Sequence, residues 1–294
     1  MDFLSEYLPL TPLAINIGIT CLILQLTFTI LFNKRTKLLP EGPWNHLTLL
    51  SAHQVVSFPL MIILSYYGIR DWYFNPNKES FSTSTPIDRI FGESNPNDIP
   101  LAIGSGAILL WDIPIGFVSP PLRDPVMYAH HIGMFLVASV MSGLFCTWGN
   151  MIGYYYASYY FGVIEMSSVF LTYVDIFHPK YKHYYKWLNA KHTDERSIKL
   201  QSILNSINEV VRILFAATFL VFRGLYFPYV TFRYAIPDLL AAYETPPDGV
   251  PMWTGNFLIV MMGLFAILQA YWGLLISKQV AKVFGGGGDD KKKK

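Results

Sequence analysis

The stretch PVMYAHHIGMFLVASVMSGLFCT, residues 125–147, decides the fold. It runs for 23 residues without an aspartate, glutamate, lysine or arginine. A helix of about 20 apolar residues matches the hydrocarbon core of a bilayer. His130 and His131 sit side by side within it. Ionisable residues in a membrane span are rare, and they face a bundle interior or a water-filled cavity rather than lipid. The run therefore predicts a membrane helix with a polar inner face.

Comparable runs lie at 10–32, 46–68, 98–118, 150–176, 203–226 and 254–277. The predicted architecture is all-α: a multi-pass transmembrane helical bundle of about seven spans around a central cavity. Composition agrees. The chain is 52% hydrophobic and only 14% charged, against about 25% charged in a soluble domain. Cys21 and Cys146 both fall in apolar runs, which argues against a disulfide or a thiolate metal site. The acidic N-terminus (Asp2, Glu6) and the spanning length of the first run argue against a cleavable signal peptide.

The charges alternate from loop to loop. Lys34, Arg35 and Lys37 follow the first span, and six basic residues fall within 178–199. Lys278, Lys282 and Lys291 to Lys294 close the chain. The intervening loops are poor in basic residues and carry Asp71, Glu79, Asp88, Glu93, Asp98, Asp238, Glu244 and Asp248. By the positive-inside rule the C-terminus is cytoplasmic and the N-terminus lumenal. The loop 69–97, rich in Asn, Pro and Ser, reads as irregular. Trp44, Trp72, Trp148, Trp187 and Trp253 lie near predicted span ends, where aromatic anchors concentrate. Residues 1–44 form an N-terminal span and basic loop, 45–282 the main membrane domain, and 283–294 a flexible basic tail. Lys291 and Lys292 stand where a cytoplasmic dilysine signal is read by coat proteins that return cargo to the endoplasmic reticulum.

The polar residues within the spans share a depth. His53, Asp112, His131 and Glu209 each lie about six or seven residues from the cytoplasmic end of a span, roughly 10 Å into the bilayer. Arg212 lies somewhat deeper and Glu165 nearer the middle. Ser158, Glu165, Ser168, Thr172 and Asp175 fall on one helical stripe, as do Ser202, Asn205, Glu209, Arg212 and Arg223. Arg223 reads as a residue near the opposite interface, free to snorkel. Neighbouring helical residues point about 100° apart, so only one of His130 and His131 can face the cavity centre. A carboxylate such as Asp112 on one ring nitrogen leaves the other free as a base. The catalytic candidates are therefore His130, His131, Asp112 and Glu165. His53, Ser168, Thr172, Asp175, Glu209 and Arg212 are candidates for lipid binding. Buried polar side chains also serve as interhelical glue, and the sequence leaves enzyme and binding protein both open.

Other chemistries are excluded. No HExxH or multi-histidine box points to a metal, no Gly-rich loop points to a bound phosphate, and no lysine in 254–277 is available for a Schiff base. Nothing points to nucleic acid, and no cofactor is implied.

The order of short motifs resembles the TLC-domain family. They are SAHQ (51–54), DRIFG (88–92), Trp111–Asp112, MYAHH (127–131), IEMSS (164–168), VFRG (221–224) and LQAYWGLLI (268–276). The resemblance implies helices around a cavity open to the cytoplasm, residence in the endoplasmic reticulum, and a lipid or acyl chain as ligand. It also implies acyl-CoA as co-substrate if the chain is an acyltransferase. Ceramide synthases carry a further His-Asp pair one helix after their paired histidines. The stretch YYYASYYFGVIEMSSVFLTYVD (154–175) has Glu165 and Asp175 instead. In this it is more similar to the TLC-domain-containing (TLCD) branch.

Overall fold

The structure, a computed structural model, describes residues 10–33, 43–45, 47–75, 83–92, 98–143, 151–178 and 182–284. Among these there is no strand. The helices are α1 (Thr11–Leu31), α2 (Thr48–Tyr73), α3 (Pro86–Phe91), α4 (Ile99–Val118), α5 (Pro125–Met141), α6 (Tyr154–Tyr160), α7 (Met166–Ile176), α8 (Lys182–Leu188), α9 (Glu195–Ala242) and α10 (Met252–Phe284). Five of them, α1, α2, α4, α9 and α10, are long and apolar enough to cross a membrane. The 17-residue α5 is apolar but shorter. The protein is an all-α, multi-pass membrane protein.

Three departures from the sequence reading have physical causes. The span expected at 150–176 is broken: α6 ends at Tyr160, and a turn and one 3₁₀ turn (Val163–Glu165) precede α7. At the break, Gly162 meets Gly68 of α2 so closely that a Cβ on Gly162 would lie 2.4 Å from the Gly68 Cα. The span expected at 203–226 is instead a 48-residue helix, about 70 Å long. The loop 69–97 is not wholly irregular, because α2 runs to Tyr73 and α3 forms within it. Thr85 and Asp88 make a reciprocal capping box, with Pro86 in the first turn of α3. The Thr85 hydroxyl and backbone N–H hold the Asp88 carboxyl below the usual carboxylate range.

Prolines shape the long helices. Residues Ile103–Asp112 of α4, and Phe219–Tyr226 and Thr231–Ala235 of α9, are wound as π-helix. Each stretch stops two residues before a proline: Pro114, Pro228 and Pro237. Proline lacks an N–H, and its ring collides with the carbonyl four residues back. The wide turn answers this. The N–H of the residue just before each proline bonds five residues back: Ile113 to Ile108, Phe227 to Phe222 and Ile236 to Thr231. π-Helix is rare and concentrates at functional sites. Two of these stretches carry the ionic residues Asp112 and Arg223.

The core gathers around α6. Tyr156, Tyr159 and Ala157 are fully buried and pack with Leu101, Met151 and Leu239. Trp72 of α2 meets Tyr159 at 5.1 Å between ring centroids. α1 lies tightly along α4, where a Cβ on Gly106 would fall 1.9 Å from the Ala14 carbonyl oxygen. At the end of the bundle where α2 and α9 finish, Arg89 of α3 grips Asp238 through two bonds (Nε–Oδ2 2.5 Å, Nη2–Oδ1 2.6 Å). The Tyr156 hydroxyl donates to the same carboxylate. This buried clamp fixes α3 to the last turns of α9. It also explains why DRIFG is ordered in a loop of turn-forming composition.

Candidate functional site

A second polar cluster lies at the opposite end, where α2 and α5 begin and α4 finishes. Its centre is Asp112, the last residue of the π-helical stretch of α4. Asp112 Oδ1 takes the Nε2 of His53 at 2.8 Å, and Oδ2 takes the Nδ1 of His131. The carboxylate thus bridges α2 and α5. His53 is held on every side: Ser57 Oγ lies 3.3 Å from its Nδ1, and its ring stacks on Trp111 at 4.8 Å. Trp111 is fixed in turn, its indole N–H donating to Gln25 Oε1 of α1 at 3.2 Å. Gln25 is fully buried and also donates from its Nε2 to the Leu49 carbonyl at 3.0 Å.

His131 differs from His53. Its side chain is 30% exposed, and its Nε2 has no hydrogen-bond partner among the described residues. With Nδ1 turned to the carboxylate, the tautomer is set and Nε2 carries the free lone pair. This carboxylate–imidazole arrangement, with one nitrogen oriented and the other open, is that of a general base.

Its neighbour His130 points elsewhere. The ring is 7% exposed and is met edge-on by Phe265 and Trp272 of α10, both at 5.4 Å and 85°. The two imidazoles therefore serve different surroundings, as their adjacent positions on one helix require.

A third group stands deeper in the bundle. Arg223, in the π-helical stretch of α9, donates from Nη2 to Glu165 Oε2 and to Ser168 Oγ, both at 2.8 Å. Its Nε reaches Ser167 Oγ at 2.9 Å and the Ile164 carbonyl at 3.1 Å. The broken turn before α7 is what presents Ile164, Glu165, Ser167 and Ser168 to one guanidinium. Both ionic side chains are about nine-tenths buried. The expectation that Arg223 snorkels to an interface is therefore corrected. α9 is far longer than the predicted span, so Arg223 lies well inside it.

Glu209 and Arg212 do not join this group. They lie fourteen and eleven residues before Arg223, about 21 and 16 Å along the helix. They are exposed, 3.7 Å apart, and among the described residues pair only with each other. Thr172 bonds back to the Ser168 carbonyl at 2.8 Å, the usual capture of a helical hydroxyl by its own backbone. Asp175 is half-buried one turn further along α7. Among the described residues neither Thr172 nor Asp175 has a hydrogen bond or ion pair to Asp112 or to either histidine of α5.

The structure thus brings His53, Asp112 and His131 together and joins Glu165 and Ser168 to Arg223. It places His130 beside α10 and leaves Glu209 and Arg212 outside. Gln25 was missed, although an amide inside the apolar run 10–32 was a signal to follow. Among the described residues no cluster of histidine, cysteine or carboxylate side chains suits a metal ion.

Helices of spanning length, a buried carboxylate between histidines of two of them, and a deeper Arg–Glu pair define a multi-pass membrane protein with an internal polar site. A family model for the TLC domain matches residues 44–278, and the chain belongs to the TLC-domain family. No curated protein and no solved structure matches it.

Proposed function

We propose that this protein acts on a membrane lipid, with His131 as general base for acyl transfer from acyl-CoA. The observation that carries the reading is the Asp112 carboxylate held between His53 and His131, with His131 Nε2 left open. In the step proposed, Nε2 takes the proton of a lipid hydroxyl or amine as that oxygen or nitrogen bonds to the thioester carbonyl carbon. The carbon–sulfur bond then breaks, and the coenzyme leaves as a thiol with the proton returned by the imidazolium. Asp112 orients the ring and stabilises its charged form, and His53, Ser57 and Trp111 hold Asp112 in place.

A second reading has its own support. No serine, threonine or cysteine side chain bonds to His131 among the described residues, and Glu165 is committed to Arg223. A protein that binds lipid without transforming it, as a cargo receptor or regulator of membrane composition, needs no more than this.

The absence of a His-Asp pair in 154–175 supports placing the chain in the TLCD branch. The alternating charges support a lumenal N-terminus and a cytoplasmic C-terminus. Lys291 and Lys292, outside the described residues, support retrieval to the endoplasmic reticulum by coat proteins. A protease site inserted in 178–199 is expected to be cut from the outside of sealed microsomes, and one in 69–97 to be protected; cutting of both breaks this topology. Replacing Lys291 and Lys292 by serine is expected to release the protein to later membranes. The decisive assay for function is purification with bound lipid, identification of that lipid by mass spectrometry, and incubation with labelled acyl-CoA. Transfer of label supports the acyltransferase. Bound lipid without transfer supports the second reading, and neither defeats both.

A further inference from the structure

We propose that Gln25 of α1 is a positioning residue of the site: through the indole of Trp111 and the ring of His53 it holds the Asp112 carboxylate where that carboxylate sets the reactivity of His131. The proposal rests on the reading of Asp112 and His131 as a working pair. It adds to their machinery a helix that lies before the family match, which begins at residue 44.

α1 has one buried stripe, Ala14, Gly18, Cys21 and Gln25, at the spacing of a helix face. The first three are small, and α4 approaches closely there. A Cβ on Gly18 would lie 2.6 Å from the Gly106 carbonyl oxygen and 2.8 Å from the Leu110 Cβ. The fourth is a fully buried amide. An amide in an apolar span is costly unless it is hydrogen-bonded. Gln25 is bonded at both ends: Oε1 accepts from the Trp111 indole, and Nε2 donates to the Leu49 carbonyl of α2.

The indole has a single N–H and only donates, so the bond to Gln25 Oε1 fixes how its ring is turned. His53 lies nearly flat on that ring, 4.8 Å between centroids and 18° between planes. The plane of His53 in turn aims its Nε2 at Asp112 Oδ1, 2.8 Å away. The other carboxylate oxygen is left for His131 Nδ1. A carboxylate on one nitrogen of an imidazole fixes the tautomer and makes the second nitrogen more basic. Whatever holds the carboxylate therefore acts on that second nitrogen without touching it.

The test labels the full chain in nanodiscs with diethyl pyrocarbonate, which acylates an unprotonated imidazole nitrogen. Tandem mass spectrometry reads His130 and His131 separately, and no turnover is needed. His131, 30% exposed, is open to the reagent, and His130, 7% exposed, is shielded. Gln25→Met keeps similar bulk and removes both bonds. It is expected to slow labelling of His131 by about threefold or more, against roughly tenfold in Asp112→Asn, the low end of what the outer partners of a histidine contribute. His130 is expected to stay shielded. In the Asp112→Asn background Gln25→Met is expected to slow His131 no further, because residues that act through one another are not additive. Gln25→Glu, whose protonated carboxyl keeps both an acceptor and a donor, is expected to recover most of the native rate.

Unchanged labelling of His131 in Gln25→Met overturns the proposal. So does faster labelling of His130 and His131 together, the sign of a bundle that has only loosened. An equal further loss in the Asp112→Asn background also overturns it. Each of these results leaves the acyltransferase reading standing. Absence of acyl transfer, with labelling as expected, removes that reading and leaves Gln25 in its role.

Discussion

The indole N–H of Trp111 donates to Gln25 Oε1 at 3.2 Å, tying the helix before the family match to the tryptophan on which His53 stacks. α1 is thus part of the site's support. Gln25→Leu leaves the buried Trp111 N–H unbonded and removes the second bond to the Leu49 carbonyl. A buried group left unsatisfied costs about 1–3 kcal/mol. Unfolding in detergent is expected to show a loss of that size, and a change under about 0.5 kcal/mol would mean that water replaces the amide without penalty.

The Arg223–Glu165 pair gives a sharper contrast. Removing one partner of a buried ion pair costs about 3–5 kcal/mol, because the other charge is stranded, whereas replacing both by apolar residues is close to neutral. Glu165→Leu and Arg223→Met are each expected to be strongly destabilising, and the double variant to recover most of the loss. A double-mutant cycle on thermal unfolding reads this directly. Additive losses contradict the pairing.

The exposed pair Glu209 and Arg212 is expected to behave in the opposite way. An exposed ion pair is worth about 0–1 kcal/mol. Glu209→Gln and Arg212→Gln should leave stability within about 0.5 kcal/mol and leave bound lipid unchanged. Loss of lipid in either variant returns these residues to the site from which their exposure removes them.

Gly106 and Gly263 test the packing of α1 on α4. Gly106→Ala drives a Cβ against the Ala14 carbonyl oxygen, at 1.9 Å if nothing shifts, so the two helices must part. A loss of about 1–3 kcal/mol is expected, as for other overpacked cores. Nothing lies within 4 Å of a Cβ on Gly263, and alanine is the better helix former by about 1 kcal/mol. Gly263→Ala is therefore expected to be neutral or stabilising. Equal effects at the two positions contradict the close approach.

The class of fold was legible in the sequence because the bilayer imposes length and hydropathy on its spans, as in 10–32. The meeting of His53, Asp112 and His131 was legible because each lies a similar number of residues from a span end, and helical rise turns that count into depth. The same count misplaced Arg223, and it says nothing of the exposure that keeps Glu209 and Arg212 outside the site. It depends on where a span begins, and α9 continues past both predicted ends. The predicted end at residue 226 falls just before Pro228, where the chain instead widens into π-turns and goes on. The break before α7 was illegible for a related reason: the contact of Gly162 with Gly68 is a tertiary constraint, and the sequence around it carries no proline to mark it. Gln25 shows the limit of reading by charge, since it is neutral and its importance comes from the indole it meets.

The most direct test of the account is the activity of His131→Gln beside Asp112→Asn. Glutamine keeps similar bulk and hydrogen bonding but cannot act as a proton-transfer base. Asparagine keeps the shape at 112 and removes the charge that orients and stabilises the imidazole. Label transfer from acyl-CoA to lipid is measured in reconstituted protein, with thermal stability and bound lipid followed in the same samples. Both variants are expected to fold normally and retain bound lipid, while transfer falls by about 10²-fold or more, the low end of what general-base catalysis contributes. Native rates of transfer in both variants, at normal stability, would contradict the assignment of His131 as the base.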